Sequence, residues 1–305
     1  MRRRLLSTMR LGECVTLERK GGTAIVSLNR PKKLNALSLD MFRGIRDAAK
    51  SLIENDTPGN KDVRCVILRG EGRAFCSGLD VKSFAKDPTK VQAAMAELLT
   101  REEGAAANLA QEVGYLWRKV PVPVVAVTQG YCFGGGLQIA LGADLRYSSP
   151  DATFSIMEAK WGLIPDMSAS VTLRELIGVD QAKELTFTGR IIPADEASRI
   201  GLVTRVSDDP MLEALKFAKE VETRSPDCIA AAKTMFNNSH SLSKLDCLAE
   251  EERLQRKLLL GWNQFSAVAK GMGLPDMIVP GFKDRDDCWE GELAADRNEL
   301  QEKKN

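Results

Sequence analysis

The stretch PVPVVAVTQGYCFGGGLQIALG, residues 121–142, carries the strongest structural signal in the chain. A continuous apolar run over residues 122–127 has the length and composition of a strand buried on both faces. Three consecutive glycines at 134–136 then lead into an apolar segment, which predicts a turn followed by a helix. The backbone of such a turn can approach a ligand closely, and the first N–H groups of the helix have no intrahelical partner. We therefore expect a strand, a glycine turn and a helix whose first N–H groups can hold a partial negative charge.

The glycine cluster by itself leaves several interpretations open. Close packing of a helix on a strand and a phosphate-binding loop are both common reasons for such glycines. Neither GxGxxG nor GxxxxGK[ST] occurs in the chain, so a nucleotide-binding fingerprint gains no support. The nature of the anion must come from other parts of the sequence.

Length and charge limit the classes of protein to consider. The chain has 305 residues, which is enough for an extensive core and fits one large domain or one and a half. Its 43 basic and 42 acidic side chains give a net charge of +1, so nucleic acid or an anionic membrane is not favoured as the main partner. No apolar run approaches the roughly 20 residues of a membrane-spanning helix.

Cysteine and histidine content narrows the chemistry further. The chain has one histidine, His240, within the polar stretch NNSHSLSK. A histidine-rich metal site is thereby excluded, and a triad would have to use this one loop residue. The cysteines show no CxxC or other metal-ligand spacing and are expected to be buried, reduced thiols: Cys14, Cys65, Cys76, Cys132, Cys228, Cys247 and Cys288. Catalysis is left to carboxylates, amides and backbone dipoles, with no metal.

The ends of the chain differ from its centre in composition. Residues 1–12, MRRRLLSTMRLG, contain four arginines and no acid, which is typical of a mitochondrial transit segment. The alternative is a disordered basic terminus on a cytoplasmic protein. Residues 13–208 read as mixed α/β, with a hairpin at Gly21 and Gly22 and a helix capped by Ser38. From 209 to 290 only helices are expected, including one capped by Ser225, and 291–305 reads as a charged tail.

Six motifs in register carry a resemblance to a known family. The chain resembles the crotonase superfamily, the enoyl-CoA hydratases and isomerases, over roughly residues 14–285. The matching motifs are LNRPKKLNAL at 28–37, GRAFCSGLDVKSF at 72–84, GYCFGGGLQIALGADLRY at 130–147, ATFSIMEAKWGLIPD at 152–166, ELTFTGR at 184–190 and GLVTRV at 201–206.

The resemblance implies both a fold and a substrate. It implies an α/β spiral of ββα repeats, a C-terminal helical trimerisation region and assembly into a homotrimer or homohexamer. It also implies an acyl-CoA thioester substrate, with coenzyme A as part of the substrate and no separate cofactor. By motif position, the backbone N–H groups of Leu79 and Gly135 would bind the thioester oxygen. Such donors stabilise the enolate that forms when a proton leaves the carbon next to the thioester.

Three polar residues are candidates for the chemistry beside that oxygen. The resemblance places hydratase glutamates at two positions, which are Gln138 and Glu158 in this chain. An amide cannot accept a proton at neutral pH, so Gln138 disfavours hydration and favours an isomerase in which Glu158 moves one proton. Asp166 stands where dienoyl-CoA isomerases carry an aspartate. Without the resemblance, Glu158 would be read as a solvated residue and Asp166 as a cap of the following helix.

Residues that contact coenzyme A are predicted only from motif position. Lys32, Lys33 and Lys283 stand where related enzymes present basic side chains to the phosphates. The adenine would contact the main chain from Phe75 through Cys76 to Ser77. The alternative interpretation is that the lysines only solubilise the protein and that Cys76 and Cys132 only line the wall of the site.

Two function classes follow. The first is an isomerase of 3-enoyl-CoA or 3,5-dienoyl-CoA, with enoyl-CoA hydratase as the related alternative. The second is a non-catalytic paralogue that binds acyl-CoA or RNA, for which the amide at Gln138 is the reason. RNA is the less favoured ligand because no basic stripe with interleaved aromatic residues occurs.

Overall fold

The computed structural model describes residues 7–54, 62–81, 88–275 and 278–285. The chain divides into two units, Met1–Glu222 and Thr223–Asn305. The predicted charged tail at 291–305, the first six residues of the predicted transit segment and Cys288 lie outside the described residues.

The first unit contains the strands of the fold. They are β1 (Ser7–Leu11), β2 (Val15–Lys20), β3 (Thr23–Leu28), β4 (Cys65–Gly70), β5 (Val124–Thr128), β6 (Tyr131–Phe133), β7 (Leu145–Ser148), β8 (Thr153–Ser155), β9 (Ile192–Pro193) and β10 (Arg205–Val206). Its described helices are α1 (Leu39–Ile53), α2 (Pro88–Leu99), α3 (Leu109–Tyr115), α4 (Gly135–Leu141), α5 (Ala169–Leu176), α6 (Val179–Thr188), α7 (Ala194–Arg199) and α8 (Pro210–Glu222).

Two sheets organise these elements. The larger sheet has the order β1-β2-β3-β4-β5-β7-β10, antiparallel from β1 to β3 and parallel from β3 onward. The smaller sheet has the order β6-β8-β9. Because parallel strands end at the same edge of a sheet, the segments that follow β3, β4, β5 and β7 begin side by side. Ligand sites of parallel sheets are found at this edge.

The strands and helices follow from their residue types. β5 is buried at every position and β4 at all but one, as expected for continuous runs of Val and Ile in the middle of a parallel sheet. The helix predicted from Ser38 is confirmed as α1, and the Ser38 hydroxyl accepts a hydrogen bond from the Met41 N–H. α4 is buried at all seven positions, so its apolar residues contact protein on every side.

Three local features differ from the sequence predictions. β6 lies between the predicted strand and the glycine turn, where its three residues pair with β8. Ser7–Leu11, within the predicted transit segment, forms β1 and pairs with β2. α8, placed by sequence in the helical region that starts at 209, belongs to the first unit. Its Ala214 and Ala218 form one buried cluster with Ile67 of β4 and Val125 of β5.

The second unit is helical in its described part. It contains α9 (Pro226–Ser239), α10 (Lys244–Leu258) and α11 (Trp262–Gly271). α9 begins as predicted, with Pro226 in its first turn and the Ser225 hydroxyl accepting a hydrogen bond from the Cys228 N–H. The predicted α/β class with a helical C-terminal region is confirmed. Across the described residues, none of the helices has the length and apolar character needed to cross a membrane.

The stability of the first unit should depend on the centre of its larger sheet. Leu68 of β4 is fully buried in the main core cluster, so Leu68→Ala should leave a cavity that costs about 2–5 kcal/mol of unfolding free energy. Leu212→Ala in α8 is the matched control, because Leu212 is 46% exposed and its loss should cost less than about 0.5 kcal/mol. Urea unfolding followed by circular dichroism measures both. Equal losses in the two variants would contradict this account of the core.

Candidate active site

The glycine turn brings its backbone close to a carboxylate. Gly134 has φ 52° and ψ −124°, a conformation that only glycine adopts without strain. A Cβ added there would lie 3.3 Å from Oε1 of Glu158. The Gly134 N–H donates to the Ser155 carbonyl at 2.9 Å, which ties the turn to the end of β8. The backbone dihedrals therefore require glycine at this position, and an added Cβ would also crowd the carboxylate.

The start of α4 packs against two side chains from distant loops. A Cβ on Gly135 would lie 2.7 Å from Sδ of Met167 and 2.8 Å from Cδ1 of Leu37. The Gly135 N–H, in the first turn of the helix, has no hydrogen-bond acceptor among the described residues. It is therefore available as a donor. The site thus has a backbone donor, the Gly135 N–H, in a tightly packed environment.

A second backbone donor comes from the loop over residues 77–80, here called the 77–80 loop. Leu37 pairs with Leu79 in a parallel bridge, in which the Leu37 N–H donates to the Gly78 carbonyl at 2.8 Å. In a parallel bridge of this register, the N–H of residue 79 faces away from Leu37. The segment that leads into this loop lies beside β6, because Cys76 pairs with Cys132 of that strand. The Leu79 N–H therefore faces the segment that leads into the glycine turn.

Gln138 and Glu158 are in direct contact. The Gln138 Nε2 donates to Oε1 of Glu158 at 2.6 Å, and the Met167 N–H donates to Oε1 of Gln138 at 2.8 Å. The second bond fixes the orientation of the amide, because the amide oxygen must face the backbone donor. The Glu158 Oε2 is enclosed by protein and accepts no hydrogen bond from the described residues.

The environment makes Glu158 a better base than an exposed glutamate. Removal from water raises its pKa above the usual 4.5, opposed in part by the hydrogen bond from Gln138, while the nearby charge of Asp166 raises it further. Partial loss of hydration also raises the pKa of Asp166, although this side chain remains exposed. The structure thus brings Gln138, Glu158 and Asp166 into one electrostatic neighbourhood. Such a cluster is a candidate for proton transfer.

Two groups of predicted coenzyme A contacts lie in the first unit: the main chain of residues 75–77 and the side chains of Lys32 and Lys33. Phe75 and Cys76 have fully buried side chains, so only their main chain can meet a ligand. The N–H groups of Phe75, Cys76 and Ser77 all donate within the protein, and the Cys76 carbonyl accepts from the Phe133 N–H at 3.0 Å. Among the described residues this leaves the carbonyl oxygens of Phe75 and Ser77 as the groups that could accept from an adenine. Lys32 and Lys33 are exposed at the end of a short 3-10 helix.

The thiols near the site are inert in character. Burial raises the pKa of Cys76 to about 12 and raises that of Cys132 as well. Neither is available as a nucleophile at neutral pH.

Lys283 belongs to the second unit and has partners there. Its side-chain Nζ lies 4.1 Å from the centroid of the Trp262 ring, and its backbone N–H donates to Oδ1 of Asn263 at 2.8 Å. This cation–π contact orients the ammonium group within that unit.

Sequence reasoning missed the residues that hold the 77–80 loop in place. Arg30 forms an ion pair with Asp80, at 3.1 Å, and the buried Asn35 donates to the Glu71 and Ala74 carbonyls at 2.9 and 2.8 Å. Arg30 and Asn35 were visible within LNRPKKLNAL and Asp80 within GLDV, but neither motif indicates its partner. The one local signal is the charge of Asp80 between the apolar Leu79 and Val81.

The chain is similar to known proteins over most of its length. A family model described as enoyl-CoA hydratase/isomerase matches residues 18–272. Enoyl-CoA hydratase EchA19 of Mycobacterium tuberculosis is 31% identical over 285 residues, which cover 92% of this chain and 100% of that protein. A Dictyostelium discoideum protein named "Probable enoyl-CoA hydratase, mitochondrial" is 33% identical over 244 residues, 78% of this chain and 80% of that one. The crystal structure of an enoyl-CoA hydratase from Bacillus anthracis superposes with a TM-score of 0.77 at 25% identity and covers 89% of this chain and 99% of that one.

Proposed function

Because the chain belongs to the enoyl-CoA hydratase/isomerase family, whose members process acyl-CoA thioesters, we propose that it shifts the double bond of an enoyl-CoA or dienoyl-CoA. One observation carries the choice of an isomerase. The carboxylate of the half-buried Glu158 has one oxygen held by the amide of Gln138, and its other oxygen is enclosed and accepts no hydrogen bond from the described residues. An amide in place of a second acid suits a reaction that moves one proton rather than one that adds water.

The proposed reaction begins at the carbon next to the thioester. Glu158 takes a proton from C2 of a 3-enoyl-CoA, and the electron pair moves onto the thioester oxygen to form an enolate. The N–H groups of Leu79 and Gly135 donate to that oxygen, and each such donor is worth on the order of 3 kcal/mol in comparable sites. When the enolate collapses, Glu158 returns the proton to C4, and the double bond stands between C2 and C3.

The orientation of Gln138 supports this use of Glu158. Its amide holds Oε1 of Glu158, so Oε2 is the oxygen proposed to carry the proton. The hydrogen bond stabilises the carboxylate form and partly offsets the effect of burial. The result is a base whose carboxylate form is stabilised by the amide and whose orientation is fixed.

Asp166 decides between two types of isomerase. In a 3,5-dienoyl-CoA the proton leaves C2 and returns at the far end of a longer conjugated system, which calls for an acid beyond the reach of one carboxylate. Asp166 interacts electrostatically with Glu158 and is exposed, which supports a second acid at the far end of the substrate. Asp166→Asn should therefore reduce dienoyl turnover much more than monoenoyl turnover.

Hydration is the second candidate function. The relatives named above carry the word hydratase in their names, and this favours it. In that reaction Gln138 would orient a water and Glu158 would act alone as base and acid. A hydrated product from a 2-enoyl-CoA is the observation that separates it from isomerisation.

Coenzyme A binding and assembly complete the proposal. The exposed Lys32 and Lys33 are proposed to meet the phosphates, the role of Lys283 stays a prediction from its motif position, and no cofactor is proposed beyond the coenzyme A of the substrate. The N-terminal arginines and the mitochondrial Dictyostelium relative support a mitochondrial location.

Assembly as a homotrimer or homohexamer is supported by large exposed apolar side chains of the second unit, among them Phe236, Leu245, Leu248 and Phe265. We expect light scattering after gel filtration to give three or six times the chain mass of 33.5 kDa, whereas a monomer would contradict this assembly.

The first test of function is a substrate panel. Matched 2-trans-enoyl-, 3-cis-enoyl- and 3,5-dienoyl-CoA are incubated with the protein and the products are separated by chromatography. We expect conversion of the 3-enoyl or the dienoyl compound and a loss of at least about 100-fold in Glu158→Gln, because the base is removed. Glu213→Gln, which alters an exposed ion pair of α8, is the matched control and should keep full rate.

The pH dependence checks the same assignment. A base works only when deprotonated, and burial raises the pKa of Glu158, so kcat/KM should fall as the pH drops through a value above the usual 4.5. Acyl-CoA binding with no turnover of any panel member would instead identify a non-catalytic protein.

Gln138→Glu tests whether the amide suppresses hydration. A second carboxylate would stand 2.6 Å from Glu158, so the pair would share a proton and provide both an acid and a base. We expect hydration of 2-enoyl-CoA to rise at least about 10-fold, on the scale of general acid–base catalysis. Gln181→Glu on α6 controls for the added charge. An unchanged hydration rate would show that residue 138 does not set the reaction type.

A further inference from the structure

The 77–80 loop is held against the segment that follows β3. The Leu37 N–H donates to the Gly78 carbonyl at 2.8 Å, and the Asp80 N–H donates to the Leu37 carbonyl at 3.0 Å. These bonds flank Leu79 on both sides. The direction of the Leu79 N–H is therefore set by the position of residue 37 relative to residues 78 and 80.

One side chain reaches across this pairing. The Nη1 of Arg30 donates to the Ala36 carbonyl at 2.5 Å, and its Nη2 lies 3.1 Å from Oδ2 of Asp80. Ala36 immediately precedes Leu37 and Asp80 immediately follows Leu79. The planar guanidinium thus joins the two segments right beside the Leu37–Leu79 bridge, with a fixed geometry that a lysine cannot reproduce.

The segment that Arg30 holds is strained. Leu34 and Asn35 have φ values of 52° and 55°, which non-glycine residues rarely adopt and keep only where the surroundings enforce it. The Arg30 N–H donates to Oδ1 of Asn35 at 2.8 Å, so Arg30 holds this turn with its backbone as well as its side chain. Asp80 is only 7% exposed, which limits screening of the ion pair by water.

We propose that Arg30, acting through Asp80 and the Ala36 carbonyl, is a positioning residue for the Leu79 N–H and thereby for the polarisation of the thioester oxygen. The inference rests on the proposed function, since it assumes that this N–H meets that oxygen. Arg30 itself does not touch the reacting atoms. Its loss should act on the transition state, where a small displacement of a donor has a large effect, and leave substrate binding nearly unchanged.

The test uses the full chain and four single variants. Arg30→Met and Asp80→Asn remove the ion pair, and Arg30→Lys keeps the charge without the two-pronged contact. Arg43→Met is the matched control, because Arg43 also pairs with a carboxylate, Glu97 at 2.7 Å, on the outer surface of α1. The probe is hexanoyl-CoA labelled with ¹³C at the thioester carbonyl, and isotope-edited infrared difference spectra record the shift of the carbonyl band on binding.

We expect the native protein to shift the carbonyl band to lower frequency and Arg30→Met and Asp80→Asn to lose at least about half of that shift. Their kcat on the active panel substrate should fall about 10- to 100-fold with KM within about two-fold, and Arg30→Lys should be intermediate. The variant with both Arg30→Met and Asp80→Asn should lose no more than the worse single change, because the two residues act as a unit. Arg43→Met should match the native protein in both measurements.

Different failures have different meanings. A native protein that leaves the carbonyl band unshifted overturns the proposed function and this inference together. A native shift that Arg30→Met and Asp80→Asn retain in full overturns only the inference. If both of these variants lose their circular dichroism signal, Arg30→Lys decides: a full native shift and native kcat in that variant would overturn the positioning role.

Discussion

The site depends on a carboxylate that is kept away from water beside an amide. A glutamate that loses much of its hydration, as the half-buried Glu158 does, is costly to ionise, and the hydrogen bond from Gln138 offsets part of that cost. The amide can do this only because the Met167 N–H occupies its oxygen and turns its NH₂ group toward Glu158. One main-chain donor thus determines that the NH₂ group of the amide, and not its oxygen, faces the glutamate.

The parallel sheet explains why these groups meet. The segments after β3, β4 and β5 contribute residue 37, the 77–80 loop and the glycine turn, and all three start at one edge of the sheet. Glycine is needed where these segments crowd together, as at Gly135, whose missing Cβ leaves room for Leu37 and Met167. The backbone donors are therefore fixed by packing of the fold rather than by the identity of any functional side chain.

Local patterns in the sequence predicted much of the architecture. The apolar runs of β4 and β5, the Ser38 cap of α1 and the Ser225–Pro226 start of α9 all depend on neighbouring residues, and each appears in the structure. β6 was missed because its three residues, Tyr131–Phe133, become a strand only by pairing with β8. Likewise α8 reads as one more amphipathic helix, and only its contact with the sheet assigns it to the first unit.

The sequence by itself determined the mixed α/β class and the family, since composition and motif order are local properties of the chain, and it predicted that the chemistry rests on carboxylates, amides and backbone donors. Only the tertiary structure decided the direction of the Gln138 amide, the free oxygen of Glu158 and the pairing of Arg30 with Asp80 across fifty positions. These depend on distances between residues far apart in the chain. Such distances are set by how the sheet packs and not by the residues on either side.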